Sequence, residues 1–462
     1  MLSRRSFLRA ATGAGLGQAC ALATPPAAAP AARPNIVIFL ADDLSWGDIE
    51  PFGGQQVPTP HLAALARQGL CLDNMFTATA MCAPLRQQIL TGLFPVRNGA
   101  YPNHSRVYDG VKGLPIYFAE LGYRVGRAGK KHFGPDASFP FELIGRENEE
   151  PEPGHLEALD RFIRRDPQQP FCLWLASHQP HVPRDKGNPA SYPPGKLQVP
   201  PHLVDTESTR QAMSEYFAEV AWLDTQVGAC LQLLDDAGHR DHTLFIFVSE
   251  HGSQTPFSKW TLYDAGLRAG CIVRWPGHVQ PATRNPALTQ YVDLLPTLIE
   301  AAGGVAPAGL DGKSILPVLR GKTQRHADYV YGIQTTKGII NGGAGYPIRS
   351  VRDRRYKFIR NLTPEREFTN VLTREGQPSI IGDWEKLPAG KARAAAYRRR
   401  PAEELYDLHT DPAELTNRAA DPRLAKVKSR LAARLDAWMK QQNDLGEVTE
   451  ARAGERHLQG AE

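Results

Sequence analysis

Short apolar runs that end in ionisable residues punctuate the chain. NIVIFLA, residues 35–41, reads as a strand buried on both faces, and DDLSWGD follows it directly. The arrangement recurs three times: YRVGRAG precedes Lys130 and His132, FCLWLA precedes His178 and His181, and HTLFIFVS precedes Glu250 and His251. Helical periodicity predicts helices over residues 59–69, 115–122, 210–237 and 292–302. Strands alternating with helices predict an α/β fold with a large, mostly parallel sheet flanked by helices. Ligands bind beyond the carboxyl ends of such strands, so the four polar clusters are expected to converge there.

From about residue 330 the texture changes. YVYGI, YPIRSVRD and YKFIRN are shorter candidate strands, followed by basic loops and a helix near 421–441. They predict a smaller C-terminal α+β subdomain, residues 331–462, with an antiparallel sheet. The basic run GKARAAAYRRRP, residues 390–401, reads as a solvated helix or loop. No internal repeat is visible.

With 42% apolar and 22% charged residues, the composition is that of a folded globular chain, not a disordered or membrane-embedded one. The formal charge of +5 includes Arg4, Arg5, Arg9 and Arg33, and no acidic residue precedes Asp42. Without the first three arginines the balance is too small to predict general affinity for nucleic acid. Twin arginines followed by Phe-Leu, a stretch of small residues and an Ala/Pro-rich segment read residues 1–32 as a twin-arginine export signal. The expected partner is the twin-arginine translocase, and the expected location is periplasmic or secreted. The segment is too short and too rich in Gly and Ala for stable membrane insertion. Leu16 is poorly spaced from Cys20 for a lipoprotein signal. Beyond Cys20 remain Cys71, Cys82, Cys172, Cys230 and Cys271, an odd number that cannot all pair, so one thiol is expected to be chemically special.

Asp42 and Asp43 at a strand end suit a helix cap, but with Glu250 they supply hard oxygen ligands suited to Ca²⁺ or Mg²⁺. His251 suits a transition metal better and alternatively contacts substrate. Singly, Lys130, His132, His181 and Lys259 are ordinary surface or hydrogen-bonded residues. Gathered at one cleft they would bind an anion, stabilise developing charge and protonate a leaving atom. Cys82 stands at a helix start, with Pro84 in the first turn of PLRQQILTG. Either it is a structural residue, or the helix terminus activates it as a nucleophile of lowered pKa.

These residues resemble the sulfatase family. Its Cys/Ser-x-Pro-x-Arg signature matches Cys82, Pro84 and Arg86, followed by LTGLFP. In order along the chain, ADDLSWGD, GKKHFG, HQPHVP, SEHG, YVDLLPTLIEAAG, LDGKSILPVLRG and ELYDLHTDPAELTN extend the resemblance over residues 34 to 440. TGLFPVRNGAYPNHS, GKKHFGPDASFPFE and YPIRSVRDRRYKFIRNL are similar to the branch that acts on N-sulfoglucosamine.

The resemblance implies an alkaline-phosphatase-like sulfatase fold with its catalytic domain at 33–330. It implies conversion of Cys82 to Cα-formylglycine by a formylglycine-generating maturation enzyme. One hydroxyl of the hydrated aldehyde would attack sulfur, and the second would allow the bound sulfate to be expelled. Asp42, Asp43, residue 82, Glu250 and His251 fall at Ca²⁺-binding positions, with Mg²⁺ or Mn²⁺ as alternatives. Arg86 and Lys130 would hold the formylglycine, His132 would assist loss of its sulfate, and His181 and Lys259 would contact sulfate and aid the leaving group. His178, His104 and Arg349 are candidate substrate contacts. The expected substrate is a sulfated saccharide, with N-sulfoglucosamine of heparan-type glycans as the sharper reading. Alternatives are hydrolysis of a phosphonate monoester or phosphodiester, and sulfated-glycan binding without turnover. Three positions depart from the pattern: Leu85 replaces serine, Glu250 replaces aspartate, and His251 replaces the asparagine of the N-sulfoglucosamine branch.

Overall fold

The computed structural model describes residues 33–343, 345–374 and 379–456; the export-signal segment and Cys20 lie outside the described residues. Eight segments pair into one sheet: β1 (Asn35–Ala41), β2 (Leu70–Phe76), β3 (Arg124–Gly129), β4 (Glu142–Leu143), β5 (Phe171–Ala176), β6 (Thr243–Ser249), β7 (Arg268–Arg274) and β8 (Thr283–Gln290), in the order β4-β3-β5-β1-β6-β7-β2-β8. β7 runs antiparallel to both its neighbours, and every other neighbouring pair is parallel. The expected mostly parallel sheet is thus present, with one reversed strand.

All seven residues of β1 are buried because both faces of the sheet are covered. Ile36, Ile38 and Leu40 pack into one core with Trp174, Ile246 and Val248, while Val37 and Phe39 pack into a second with Leu173, Phe245 and Phe247. The two-residue period of the strands therefore feeds two separate cores. Helices Cys82–Thr91, Leu114–Glu120 and Leu294–Ala301 close the first face, and Pro60–Arg67, Glu157–Arg164 and Glu207–Asp236 close the second. Each fully buried Ile, Leu or Phe contributes about 1.5–3 kcal/mol.

The long helix begins three residues before the apolar pattern predicts, because Thr206 caps it, its Oγ1 accepting from Thr209 N at 3.1 Å. Residues 291–293 form a 3-10 turn before the Leu294–Ala301 helix, with Asp293 Oδ2 accepting from Gln290 N at 2.9 Å.

A second, antiparallel sheet in the order β12-β11-β10-β9 contains β9 (Val330–Gln334), β10 (Ile348–Arg352), β11 (Tyr356–Asn361) and β12 (Glu403–Asp407). Helix Ala425–Gln441 packs Leu431, Leu435 and Trp438 onto it, an i, i+4, i+7 stripe. The two sheets share a buried cluster in which Phe76, Met81, Trp260 and Tyr263 meet Val330, Ile348, Ile359 and Tyr397. From Arg33 onward the chain forms one compact unit. The basic run is less solvated than its charge suggests: residues 388–398 are helical, and Arg400 is buried with its guanidinium 4.3 Å from the Phe368 ring. Among the described residues no helix is long and apolar enough to cross a membrane.

Candidate active site

The parallel strands bring the polar clusters to one edge of the large sheet. Asp42 and Asp43 follow β1, Lys130 and His132 follow β3, His178 and His181 follow β5, and Glu250 and His251 follow β6. Backbone pairing continues past the strand ends and sets their relative height: Asp42 N donates to Gln179 O at 3.0 Å, Lys130 N to Ala176 O at 3.0 Å, and Glu250 N to Ala41 O at 2.8 Å. Gly129 permits the close approach at Lys130. Its φ is 79°, and a Cβ there would collide with the Ala176 carbonyl. Asp43 and His132 adopt φ of 60° and 49°, a strain of about 1–3 kcal/mol each for residues with side chains.

Cys82 is the first residue of the helix after β2, and all ten residues of that helix are buried. Its Sγ lies 3.6 Å from Asp42 Oδ1 and 3.7 Å from His251 Nε2. Burial first, then Glu250, pushes its thiol well above the ordinary value despite Lys259 and Lys130. This corrects the expectation of a lowered pKa, because desolvation outweighs the helix terminus. Cys71, Cys172, Cys230 and Cys271 are buried free thiols, and burial raises each of them.

Donor atoms of Asp43, Cys82, Glu250 and His251 all lie within 4.8 Å of one another. Among the described residues Asp43 Oδ1 and Glu250 Oε2 are buried without a hydrogen-bond partner, each 3.6 Å from a ring nitrogen of His251. Two orphaned carboxylate oxygens in one buried pocket fit a hard divalent cation. Burial and the neighbouring Asp42 push the Glu250 carboxyl up to about 8, the repulsion that a cation would relieve. His251 Nδ1 lies 2.9 Å from the Gly252 carbonyl and so carries the proton, leaving the Nε2 lone pair towards Cys82 and Glu250.

Cations enclose this cluster. Arg86 Nε donates to Glu250 Oε1 at 2.7 Å and its NH1 to Lys130 O at 3.0 Å, with NH2 3.6 Å from Asp42 Oδ2. Lys130 Nζ pairs with Asp42 Oδ2, and Lys259 Nζ with Asp43 Oδ2 at 2.6 Å. Burial alone would lower both lysines, but Asp42 and Asp43 respectively hold them above the usual range. His181 Nε2 is 3.8 Å from Asp43 Oδ2, while its Nδ1 donates to the Val182 carbonyl. Burial lowers His181 and lowers His132 strongly, so the His132 ring is neutral.

A cleft of about 590 Å³ opens over Cys82, Lys130, His132, His181 and Lys259. His104 and His178 also line it; His104 Nδ1 lies 3.0 Å from His132 Nε2, and His178 Nδ1 lies 3.0 Å from Glu150 Oε1. Arg349 is not brought there. It is fully buried on β10, paired with both carboxylate oxygens of Asp444, and donates to the Gln334 and Ile348 carbonyls. Leu85 points away from the cleft chemistry into the core with Ile89 and Leu90. Glu150, Asn103 and Trp260 escaped the sequence reading. Asn103 Oδ1 accepts from Ala83 N at 3.3 Å, and Trp260 lies beside Lys259 in the cleft wall. Glu150 stands in the acidic run RENEEPEP, where nothing in the pattern separates it from solvated neighbours.

The mostly parallel sheet, with buried carboxylate, thiol and imidazole donors and a ring of cations at its carboxyl edge, has the alkaline-phosphatase-like fold. The chain belongs to the sulfatase family: the Sulfatase family model matches residues 34–150 and 154–305. The model for the N-sulphoglucosamine sulphohydrolase C-terminal region matches residues 250–380. An ulvan-active sulfatase of Formosa agariphila is 33% identical over 423 residues, covering 89% of this chain and 81% of its own length. The N-sulphoglucosamine sulphohydrolase of Homo sapiens is 30% identical over 468 residues, covering 89% of this chain and 91% of its own. Among solved structures, the phosphonate monoester hydrolase of Agrobacterium radiobacter shares the fold, with a TM-score of 0.69 at 20% identity over 89% of this chain and 96% of that one. The enzyme class therefore follows from sequence kinship, since the fold alone accommodates sulfur and phosphorus chemistry.

Proposed function

We propose that the chain is an exported, divalent-metal-dependent sulfohydrolase that removes sulfate from a sulfated sugar, with N-sulfoglucosamine at the end of a heparan-type glycan as substrate. The observation that carries this reading is Cys82, a buried thiol of raised pKa set among Asp43, Glu250 and His251 and enclosed by Lys130, Arg86 and Lys259. An unmodified thiol there is a poor nucleophile, whereas formylglycine at the same position would supply a hydroxyl nucleophile beside Ca²⁺. The N-sulphoglucosamine C-terminal match and the human relative support the choice of sugar. The twin-arginine motif supports export to the periplasm by the twin-arginine translocase, with maturation before translocation.

The chain's own residues would divide the work. Asp42, Asp43, residue 82, Glu250 and His251 would hold the metal: the last four form the donor cluster, and Asp42 Oδ1 lies 3.6 Å from Cys82 Sγ. Arg86 locks Glu250 and the Lys130 carbonyl, which fixes the donors before substrate arrives. Lys130 and Lys259 bring two positive charges to the oxygens of sulfate. Lys259 Nζ would supply the proton needed on the departing nitrogen or oxygen; His181, whose Nδ1 proton is held by the Val182 carbonyl, would share that role only with a second proton on Nε2, and His132 would assist loss of the bound sulfate.

Mass spectrometry of the Cys82 peptide from the native host, combined with sulfate release from N-sulfo-D-glucosamine, tests the reading. Formylglycine together with release supports it, and an unmodified thiol in active protein overturns the mechanism. Faster turnover of a phosphonate monoester or phosphodiester would replace sulfur with phosphorus chemistry, the second reading that the shared fold motivates. Glycan binding by fully matured protein without sulfate release would identify a non-catalytic lectin-like role.

A further inference from the structure

His178 is held by a carboxylate that the chemistry above does not use. Glu150 Oε1 lies 3.0 Å from His178 Nδ1, and Glu150 Oε2 accepts from the His178 backbone N at 3.1 Å and Gln226 Nε2 at 2.9 Å, while Ser177 Oγ donates to Gln226 Oε1 at 2.7 Å. Three donors from the end of β5 and the Glu207–Asp236 helix converge on one carboxyl group, so it is a rigid anchor. Burial alone would raise the Glu150 carboxyl, yet the His178 and Gln226 hydrogen bonds hold it below its ordinary range, and it stays ionised. An ionised carboxylate only accepts, so His178 Nδ1 must carry a proton. The ring's other nitrogen has no protein partner among the described residues, and the side chain is 33% exposed in the cleft wall.

The structure assigns Glu150 as a positioning residue for substrate recognition: it fixes the His178 tautomer and orientation so that Nε2 presents a hydrogen-bond acceptor to a hydroxyl of the sugar that bears the sulfate. This assignment rests on the proposed occupancy of the cleft by a sulfated sugar. A lone pair at Nε2 suits a hydroxyl donor and disfavours the sulfate oxygens, which carry no proton. His178 therefore reads the sugar, while Lys130 and Lys259 read the sulfate. The carboxylate–imidazole arrangement is the one that fixes ring tautomers in other sites, and its effect passes entirely through the ring.

A double-mutant cycle on the matured full-length chain tests the assignment, using Glu150→Gln, His178→Ala and the double variant with N-sulfo-D-glucosamine and the sugarless 4-nitrophenyl sulfate. Each single change is expected to lower kcat/KM for N-sulfo-D-glucosamine by about 3- to 10-fold, mainly through KM, and by more than for 4-nitrophenyl sulfate. The double variant should lose no more than His178→Ala alone, since Glu150 acts only through the ring. Additive losses, or equal losses on the two substrates, overturn the assignment and leave Glu150 a structural carboxylate. If Glu150→Gln does not fold, His178→Asn decides. It retains an amide donor to Glu150 but has no atom at the Nε2 position, so it should lose as much as His178→Ala, and wild-type kinetics would refute the inference. Wild-type turnover of 4-nitrophenyl sulfate with none of N-sulfo-D-glucosamine would instead overturn the choice of sugar. The same cycle on D-glucosamine 6-sulfate then decides the role of Glu150.

Discussion

Arg86 Nε donates to Glu250 Oε1 at 2.7 Å with both side chains fully buried, so one guanidinium ties the helix that bears Cys82 to the end of β6. Arg86→Met would leave Glu250 and Asp42 buried without that partner. Removing one member of a buried pair costs about 3–5 kcal/mol. Urea denaturation should register a loss of that size together with loss of sulfate release, and unchanged stability would show that the pair is not holding the two elements.

Divalent-metal removal should act on the same carboxylates. Asp43 Oδ1 and Glu250 Oε2 have no hydrogen-bond partner among the described residues, so bound metal is expected to stabilise the fold, by about 2.7 kcal/mol at a hundredfold excess over Kd. EDTA should lower Tm and sulfate release together, and added Ca²⁺ should restore both. A Tm indifferent to chelation and to Ca²⁺ would count against a cation at this cluster.

Leu85 stands where the family pattern has serine, and its side chain is fully buried in the first core. Leu85→Ser should therefore destabilise the protein by about 2–5 kcal/mol, as large-to-small core changes do. Thermal unfolding measures that cost, while formylglycine content in the same samples shows whether serine improves maturation. An unchanged Tm would mean that the core tolerates the hydroxyl.

Arg349 and Asp444 predict a pH effect remote from the cleft. Burial alone would raise the Asp444 carboxyl, but Arg349 brings it below its ordinary value. A carboxyl group depressed in the folded state contributes stability that is present above its unfolded pKa, near 3.9, and is lost as pH falls through the lower folded value. Unfolding free energy of the wild type should therefore fall more steeply below about pH 4 than that of Asp444→Asn. Parallel curves for the two proteins would exclude the pair as the source.

Much of the site was readable before the structure. Asp42, Lys130, His181 and Glu250 each follow an apolar run, and strand ends of a parallel sheet meet at one edge, so convergence followed from pattern alone. The place of Arg349 was not legible, because a basic residue in a motif-rich strand looks the same whether it faces substrate or a buried aspartate 95 positions away. Glu150 was invisible for the converse reason, since acidic neighbours on a loop carry no periodicity. The reversed direction of β7 was equally hidden, because apolar runs do not record strand polarity.

Local pattern was sufficient for the alternating strands and helices, the helix start at Cys82 and the ordered motifs of the sulfatase family, because periodicity and spacing are properties of neighbouring residues. Which oxygens of Asp43 and Glu250 remain unpaired, whether desolvation or the helix terminus controls the Cys82 thiol, and which carboxylate orients His178 all emerged only on folding. Each depends on distances between segments remote in the chain, and on how completely water is excluded once they meet.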